Sequence, residues 1–328
     1  MYLVTGGAGF IGSNIAAALA QRGEDVVISD WLGAGDKWHN LRDIRLHEIV
    51  FPEDLPAWFT DHGSRLKAII HMGAISATTE PDVDLIVRSN LQLSLWLWQK
   101  AAQHRIPLIY ASSAATYGVG GQGFKDDSGA QALAKLAPLN AYGWSKHITD
   151  RRFIADVNAG RPQPPQWAGL KFFNVYGPNE AHKGDMRSVI HKIHPKIAAG
   201  ETIELFKSHH PAYQDGGQLR DFVYVKDCVN VMLWLLDAPH VSGLFNVGSG
   251  KARSFRDLAF AVGSALNQEP EIRYIDMPEA IRDRYQYFTE ADVGKLRDCG
   301  YPHQWTTLED GVRDYVLRHL QPAEQAAA

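Results

Sequence analysis

Cysteine is almost missing from this chain. Its 328 residues include two, Cys228 and Cys299, which excludes a disulfide framework or a thiolate metal cluster and makes a reducing cytoplasm the expected compartment. No apolar run approaches the roughly 18 residues that a membrane span requires. The opening Met1-Tyr2-Leu3-Val4-Thr5 enters a strand pattern with no basic region or cleavable apolar stretch before it, so the expectation is an untargeted protein that does not engage membranes. Charge of one sign is lacking too: 33 Lys plus Arg against 37 Asp plus Glu leave a formal net charge of −4. That balance attracts neither nucleic acid nor an anionic surface, so an anionic ligand must be captured locally. Repeats and low-complexity tracts are absent. What is present, 45% hydrophobic and 21% charged residues, is ordinary globular composition, and the length suggests two domains or one with an added lobe.

Short β-branched runs alternate with helical patterns through the first 115 or so residues, the signature of βαβ units and a parallel sheet. Strands are expected at Tyr2 to Thr5, Asp25 to Ser29, Lys67 to His71 and Leu108 to Ser112, with helices at Ser13 to Arg22 and Ser89 to His104. A helix from Tyr142 to Val157 and a strand from Leu170 to Val175 follow. Beyond Gly177-Pro178 the pattern loses regularity, and Ser208 to Gln218 has none. Asp221 to Val225 and the helix after it are expected to return to the first sheet. The resulting division is a doubly wound α/β dinucleotide-binding domain over 1–176, rejoined by 221–247. A smaller interleaved α/β substrate lobe then covers 177–220 and 248–321, and 322–328 is a frayed tail.

Three motifs carry chemistry. Thr5-Gly6-Gly7-Ala8-Gly9-Phe10-Ile11-Gly12 follows a strand and opens a helix, where glycines let backbone N–H groups approach a pyrophosphate at a helix N-terminus. Asp30 ends the next strand, eighteen residues after Gly12, where a carboxylate can accept from an adenosine ribose. Lys37 could meet a 2′-phosphate or be a solvated loop lysine. Tyr142 and Lys146 stand four apart on one helix face, where a cation lowers a phenol's pKa and suits Tyr142 to proton transfer. Ser113, ending a strand at the carboxyl edge of the sheet, can hydrogen-bond a reacting oxygen. Arg220 could clamp a diphosphate or form a surface salt bridge. His209-His210 and His191-x-x-His194 lack further ligands, so no metal is expected.

Together with Ser112-Ser113-Ala114-Ala115-Thr116-Tyr117-Gly118, Phe173 to Pro178 and Arg220 to Val225, these motifs stand in an order that resembles the extended short-chain dehydrogenase/reductase family, which acts largely on nucleotide sugars. His71 to Glu80, Tyr110 to Gly118, Glu180 to Met186 and Arg284 to Thr289 resemble its branch acting on an ADP-heptose. The resemblance implies hydride removal at C6 by NADP, with NAD possible, and hydride return on the other face of the ketone, in lipopolysaccharide heptose supply. It implies that Tyr142 and Lys183 are the acid/base pair, that Lys146 tunes Tyr142 and holds the cofactor, and that Ser113 assists. It implies cofactor contacts at Gly6, Gly9, Phe10, Ile11, Gly12, Asp30, Trp31, Lys37, Met72, Gly73, Ala74, Ile75, Ser76, Asn90 and Val175, as well as at Tyr142, Lys146 and Lys183. The sugar nucleotide falls to Asn174, Asp185, Lys192, Leu205, Phe206, Lys207, Ser208, Arg220 and Tyr285. A homo-oligomer, a pentamer, is implied as well.

Pro52 and Trp31 depart from the family pattern. Ala114 and Ala115 lack the acid and base that elimination of water by the family's dehydratases needs. A 4-epimerase of UDP-hexoses and a non-catalytic nucleotide sensor are the competing readings.

Overall fold

A computed structural model of the chain describes residues 1–282 and 285–322. Arg284 and the expected frayed tail beyond 322 lie outside the described residues. The strands are β1 (Tyr2–Thr5), β2 (Val26–Ser29), β3 (Glu48–Val50), β4 (Ala68–His71), β5 (Leu108–Ser113), β6 (Trp167–Phe172), β7 (Asn174–Tyr176), β8 (Ile203–Phe206), β9 (Leu219–Tyr224), β10 (Gly243–Val247), β11 (Ala252–Ser254) and β12 (Ile272–Ile275). Seven of them form one parallel sheet in the order β10-β6-β5-β4-β1-β2-β3. β2, β4, β6 and β10 are buried throughout. Such strands read as continuous apolar runs because helices cover both faces of the sheet.

Strand order reverses between β1 and β4, and in a doubly wound sheet that switch point opens a crevice at the carboxyl ends of the strands. β5 and the helix Ala141–Asn158 bring further side chains to the same edge. That helix starts at Asn140, whose side chain accepts from the Gly143 N–H at 2.8 Å, an N-cap that fixes where Tyr142 enters the first turn.

Two expectations need correction. The strand anticipated from Leu170 to Val175 is broken at Phe173: β6 stays in the large sheet, whereas β7 pairs in parallel with β9. Phe173 N–H donates to Val247 O at 3.0 Å, and there the chain leaves the sheet. The segment near Asp221 to Val225 does not return to the large sheet. As β9 it joins a three-stranded sheet, β11-β9-β7, and the return is made by the helix Val225–Asp237 and β10. β8 and β12 make a separate pair. A second apolar core, including Ile190, Ile193, Ile203, Leu258 and Val312, packs between these strands and the later helices, and Phe10 reaches into it.

One charge pair lies within the large sheet's packing. Lys171 on β6 and Asp150 on the Ala141–Asn158 helix are 2.7 Å apart with side chains 1% and 0% exposed. Thr116 Oγ1 accepts from Lys171, while Ser112 and Tyr110 donate to Asp150. Removing one member leaves a buried charge unpaired. Asp150→Asn is therefore expected to cost about 3–5 kcal/mol in chemical denaturation, and Asp150→Asn with Lys171→Met to recover much of that loss. A single variant no less stable than the double would contradict this account of the pair.

Candidate active site

A cleft of about 890 Å³ opens at the switch point. Its floor is the turn after β1. Gly6 has φ of +64°, and a Cβ there would stand 2.6 Å from both Cα and N of Gly73, while a Cβ on Gly12 would run into the Gly6 carbonyl. Only glycine permits these approaches. The helix Phe10–Gln21 then starts at Gly9 with no side-chain cap, so its first-turn N–H groups and partial positive charge face the cleft. This donor set, with a carboxylate at the end of β2, fits a dinucleotide.

The cleft brings together Gly6, Gly9, Phe10, Ile11 and Gly12 with Asp30, Trp31 and Lys37, and with Met72, Gly73, Ala74, Ile75 and Ser76. Ser113, Tyr142, Lys146, Val175 and Lys183 line it too. One Asp30 oxygen accepts from the Ala8 N–H at 2.9 Å, and the other pairs with Lys37 Nζ at 2.6 Å. Lys37 also donates to Trp31 O at 2.8 Å. It is therefore no free loop lysine. The Trp31 indole N–H donates to Glu53 at 2.7 Å, and Pro52 lies in the wall.

Asn90 is the exception among the expected cofactor contacts. It is fully buried outside the cleft lining, where its amide clasps Ile75 through both backbone groups at 2.8 and 3.0 Å and donates to Ser145 Oγ at 3.0 Å. Ser145 Oγ in turn donates to Tyr142 O at 2.7 Å. Asn90 thus supports the turn and the Tyr142 helix from behind.

Burial raises the Tyr142 phenol above its ordinary range, and a hydrogen bond with Ser113 opposes this. Lys146, expected to lower the phenol together with an oxidised nicotinamide, is not among the groups that shift Tyr142 in the chain alone. Lys146, 2% exposed, is pushed down to about 8 by burial against the upward pull of Asp150 one turn further on. Lys183 is lowered by burial and raised by Glu180, and its Nζ lies 5.2 Å from the Phe10 ring centre.

None of the nine residues expected to hold the sugar nucleotide lines this cleft. They belong to the small sheets and the loops beside them, apart from Asp185 in the segment Ala181–Met186 and Lys192 in the helix Val189–Ala198. The structure does gather three of them: the Arg220 guanidinium lies 5.1 Å over the Tyr285 ring, and Phe206 packs edge-on against Tyr285 at 6.4 Å. Lys192 Nζ donates to Asp185 O at 2.6 Å, and Lys207 faces Asp276 at 3.4 Å. Ser208 bonds Asp215 and His210, Leu205 is buried and Asn174 is exposed.

Two features of the cleft were not anticipated, the lining residue His182 and, behind it, Asn40. His182 lies in the cleft beside Lys183, and the Asn40 amide nitrogen reaches Ala8 O (2.9 Å), Asn179 O (3.1 Å) and His182 Nδ1 (3.1 Å). An asparagine in a polar loop carries no sequence signal for such a latch.

A glycine turn at the switch point, a carboxylate ending β2 and a Ser-Tyr-Lys group at one cleft are the parts of a nicotinamide-dependent enzyme. Residues 2–248 match the NAD dependent epimerase/dehydratase family, and the chain belongs to it. It is 51% identical to the ADP-L-glycero-D-manno-heptose-6-epimerase of Nitratidesulfovibrio vulgaris over 99% of each chain. Against the enzyme of the same name from Fusobacterium nucleatum it is 44% identical over 98% of each. The crystal structure of the Helicobacter pylori ADP-L-glycero-D-manno-heptose-6-epimerase superposes with a TM-score of 0.79 at 28% identity, covering 99% of this chain and 96% of that one.

Lys146 is expected to lose its proton near pH 8 in an NMR titration of lysine side chains, below an exposed lysine. Titration in the ordinary range near 10.5 would contradict its desolvation.

Proposed function

We propose that this chain interconverts ADP-D-glycero-β-D-manno-heptose and ADP-L-glycero-β-D-manno-heptose by oxidation at C6 and reduction on the opposite face. The observation that carries the mechanism is that Tyr142 and Lys183, from two different elements, both enter one cleft in desolvated form. A bound nicotinamide dinucleotide supplies the hydride acceptor and donor, with the glycine turn, Asp30, Lys37 and the Met72–Ser76 turn holding it.

Tyr142, hydrogen-bonded to Ser113, exchanges the proton of the C6 hydroxyl in one orientation of the sugar. Lys183 does so in the other. Oxidation makes C6 planar, so a ketone that turns about its bond to the ring presents its second face. Two acid/base groups on separate walls then remove the need for one residue to serve both orientations. With a bound oxidised nicotinamide adding its positive charge, a cationic Lys146 would favour the ionised phenol of Tyr142, which ties activity to pH below the value at which Lys146 deprotonates.

NADP is the preferred form in this proposal, because the Lys37 ammonium offsets the Asp30 charge where a 2′-phosphate would lie. The two small sheets, β11-β9-β7 and β8-β12, with the helices packed against them form the substrate lobe, and the cluster of Arg220, Phe206 and Tyr285 takes the diphosphate end of the sugar nucleotide. A cytoplasmic homo-oligomer supplying heptose for lipopolysaccharide completes the proposal. Its reducing surroundings agree with two free cysteines, and light scattering tests its assembly.

Proton NMR of ADP-D-glycero-β-D-manno-heptose with the purified protein and no added reductant should show the L-glycero isomer accumulating. An unchanged spectrum from folded, cofactor-loaded protein would reject the reading. Tyr142→Phe and Lys183→Met are each expected to lower kcat by about 10²- to 10⁴-fold. A near wild-type rate in either would remove that residue from the mechanism.

A further inference from the structure

Lys183 rides on a short segment, Ala181–Met186, between β7 and the helix Val189–Ala198. Its ends are tied by a single carboxylate. Glu180 is 1% exposed, and its oxygens accept from the Ser188 N–H at 2.6 Å, the Ser188 hydroxyl at 2.6 Å and, more weakly, the Gly177 N–H at 3.5 Å. The Tyr315 phenol, on the helix Leu308–Tyr315, is hydrogen-bonded to the same carboxylate. Glu180 O accepts from the Lys183 N–H at 3.0 Å, so the residue grips the segment through its backbone as well. Ser188 passes the restraint on, its Oγ accepting from the His191 N–H at 3.3 Å as the cap of the helix Val189–Ala198.

A carboxylate removed from water is costly unless several donors converge on it, and here they come from three parts of the chain. Glu180 does not line the cleft, so it has no direct part in the chemistry. Its charge nevertheless bears on Lys183. Of the other groups around that lysine, Phe10 comes from the helix after β1 and is uncharged. His182 is kept towards its neutral form by burial and by Lys37 and Lys183. Lys37 is itself paired with Asp30, and Arg187 turns back to Gly184 O at 2.7 Å and to His191.

We propose that Glu180 is a positioning residue for Lys183: it closes the loop between Gly177 and Ser188 and keeps a negative charge behind the ammonium. This rests on the role given to Lys183 above. Full-length holoenzyme carrying Lys183→Met, Glu180→Gln or Ser188→Ala separates the two. The Lys183 side-chain NMR signal, identified by its loss in Lys183→Met, is followed against pH alongside kcat and KM.

Glu180→Gln is expected to lower kcat between about ten- and a hundred-fold, with a smaller change in KM. The Lys183 titration should move to lower pH, since the charge favouring the ammonium is gone. A purely structural role would not move that titration. Ser188→Ala keeps the charge and should lower kcat by about several-fold with the titration in place. Wild-type turnover in Lys183→Met would reject the role of Lys183. With Lys183→Met inactive, an unmoved titration and wild-type kcat in Glu180→Gln would overturn the proposal. Should Glu180→Gln fail to fold, unaltered kcat in Ser188→Ala would do so.

Discussion

The backbone of Gly6 passes so close to that of Gly73 that a side chain on Gly6 would collide with it. This contact joins the tops of β1 and β4, the two strands between which the sheet reverses its order, and it makes the floor of the cleft out of main chain alone. A crevice exists there because of topology. It can hold a flat, anionic dinucleotide because the floor presents N–H groups instead of side chains. The helix that follows carries Phe10 at its first turn, and Phe10 packs into the core of the smaller lobe while its ring faces Lys183. One turn therefore sets both the dinucleotide end of the cleft and a point of support for Lys183.

Behind the cleft the polar groups form connected sets with little slack. Thr5 Oγ1 is hydrogen-bonded to His71 Nδ1 at 2.6 Å, and His71 Nε2 to Ser94 Oγ at 2.8 Å. Ser94 donates to Asn90 O, and Asn90 reaches Ile75 and Ser145. Burial pushes His71 down to about 3, with Lys146 adding to the shift, so the ring is neutral and each nitrogen has its own partner. The chain of bonds runs from β1 to the helix bearing Tyr142. Such a network is specific because every unmet group in it would cost a desolvated hydrogen bond.

Much of this was legible in the sequence. Buried parallel strands announce themselves as apolar runs, and Gly6 to Gly12, Asp30 and the Tyr142/Lys146 spacing stand at fixed offsets from them. The break at Phe173 was not legible, since Leu170 to Val175 is apolar enough to continue and only the pairing of β7 with β9 shows where the chain turns away. Nor was the true place of β9, whose apolar pattern suits either sheet. The family resemblance offered Asn90 as a cofactor contact, whereas burial puts it one layer behind the cleft lining. Asn40 and Glu180 each take one partner more than a hundred residues away in sequence, which no local pattern marks. Lys146 together with an oxidised nicotinamide was expected to lower the Tyr142 phenol; in the chain alone desolvation raises it, an effect of burial that no sequence pattern reports.

The central claim is that the hydrogen at C6 leaves and returns within one cleft while two side chains handle only the hydroxyl proton. ADP-D-glycero-β-D-manno-heptose bearing deuterium at C6, converted in ordinary water, tests it directly. The account predicts an L-glycero product that retains deuterium at C6. Product carrying solvent hydrogen at that carbon would contradict it, since the hydrogen would then have left as a proton.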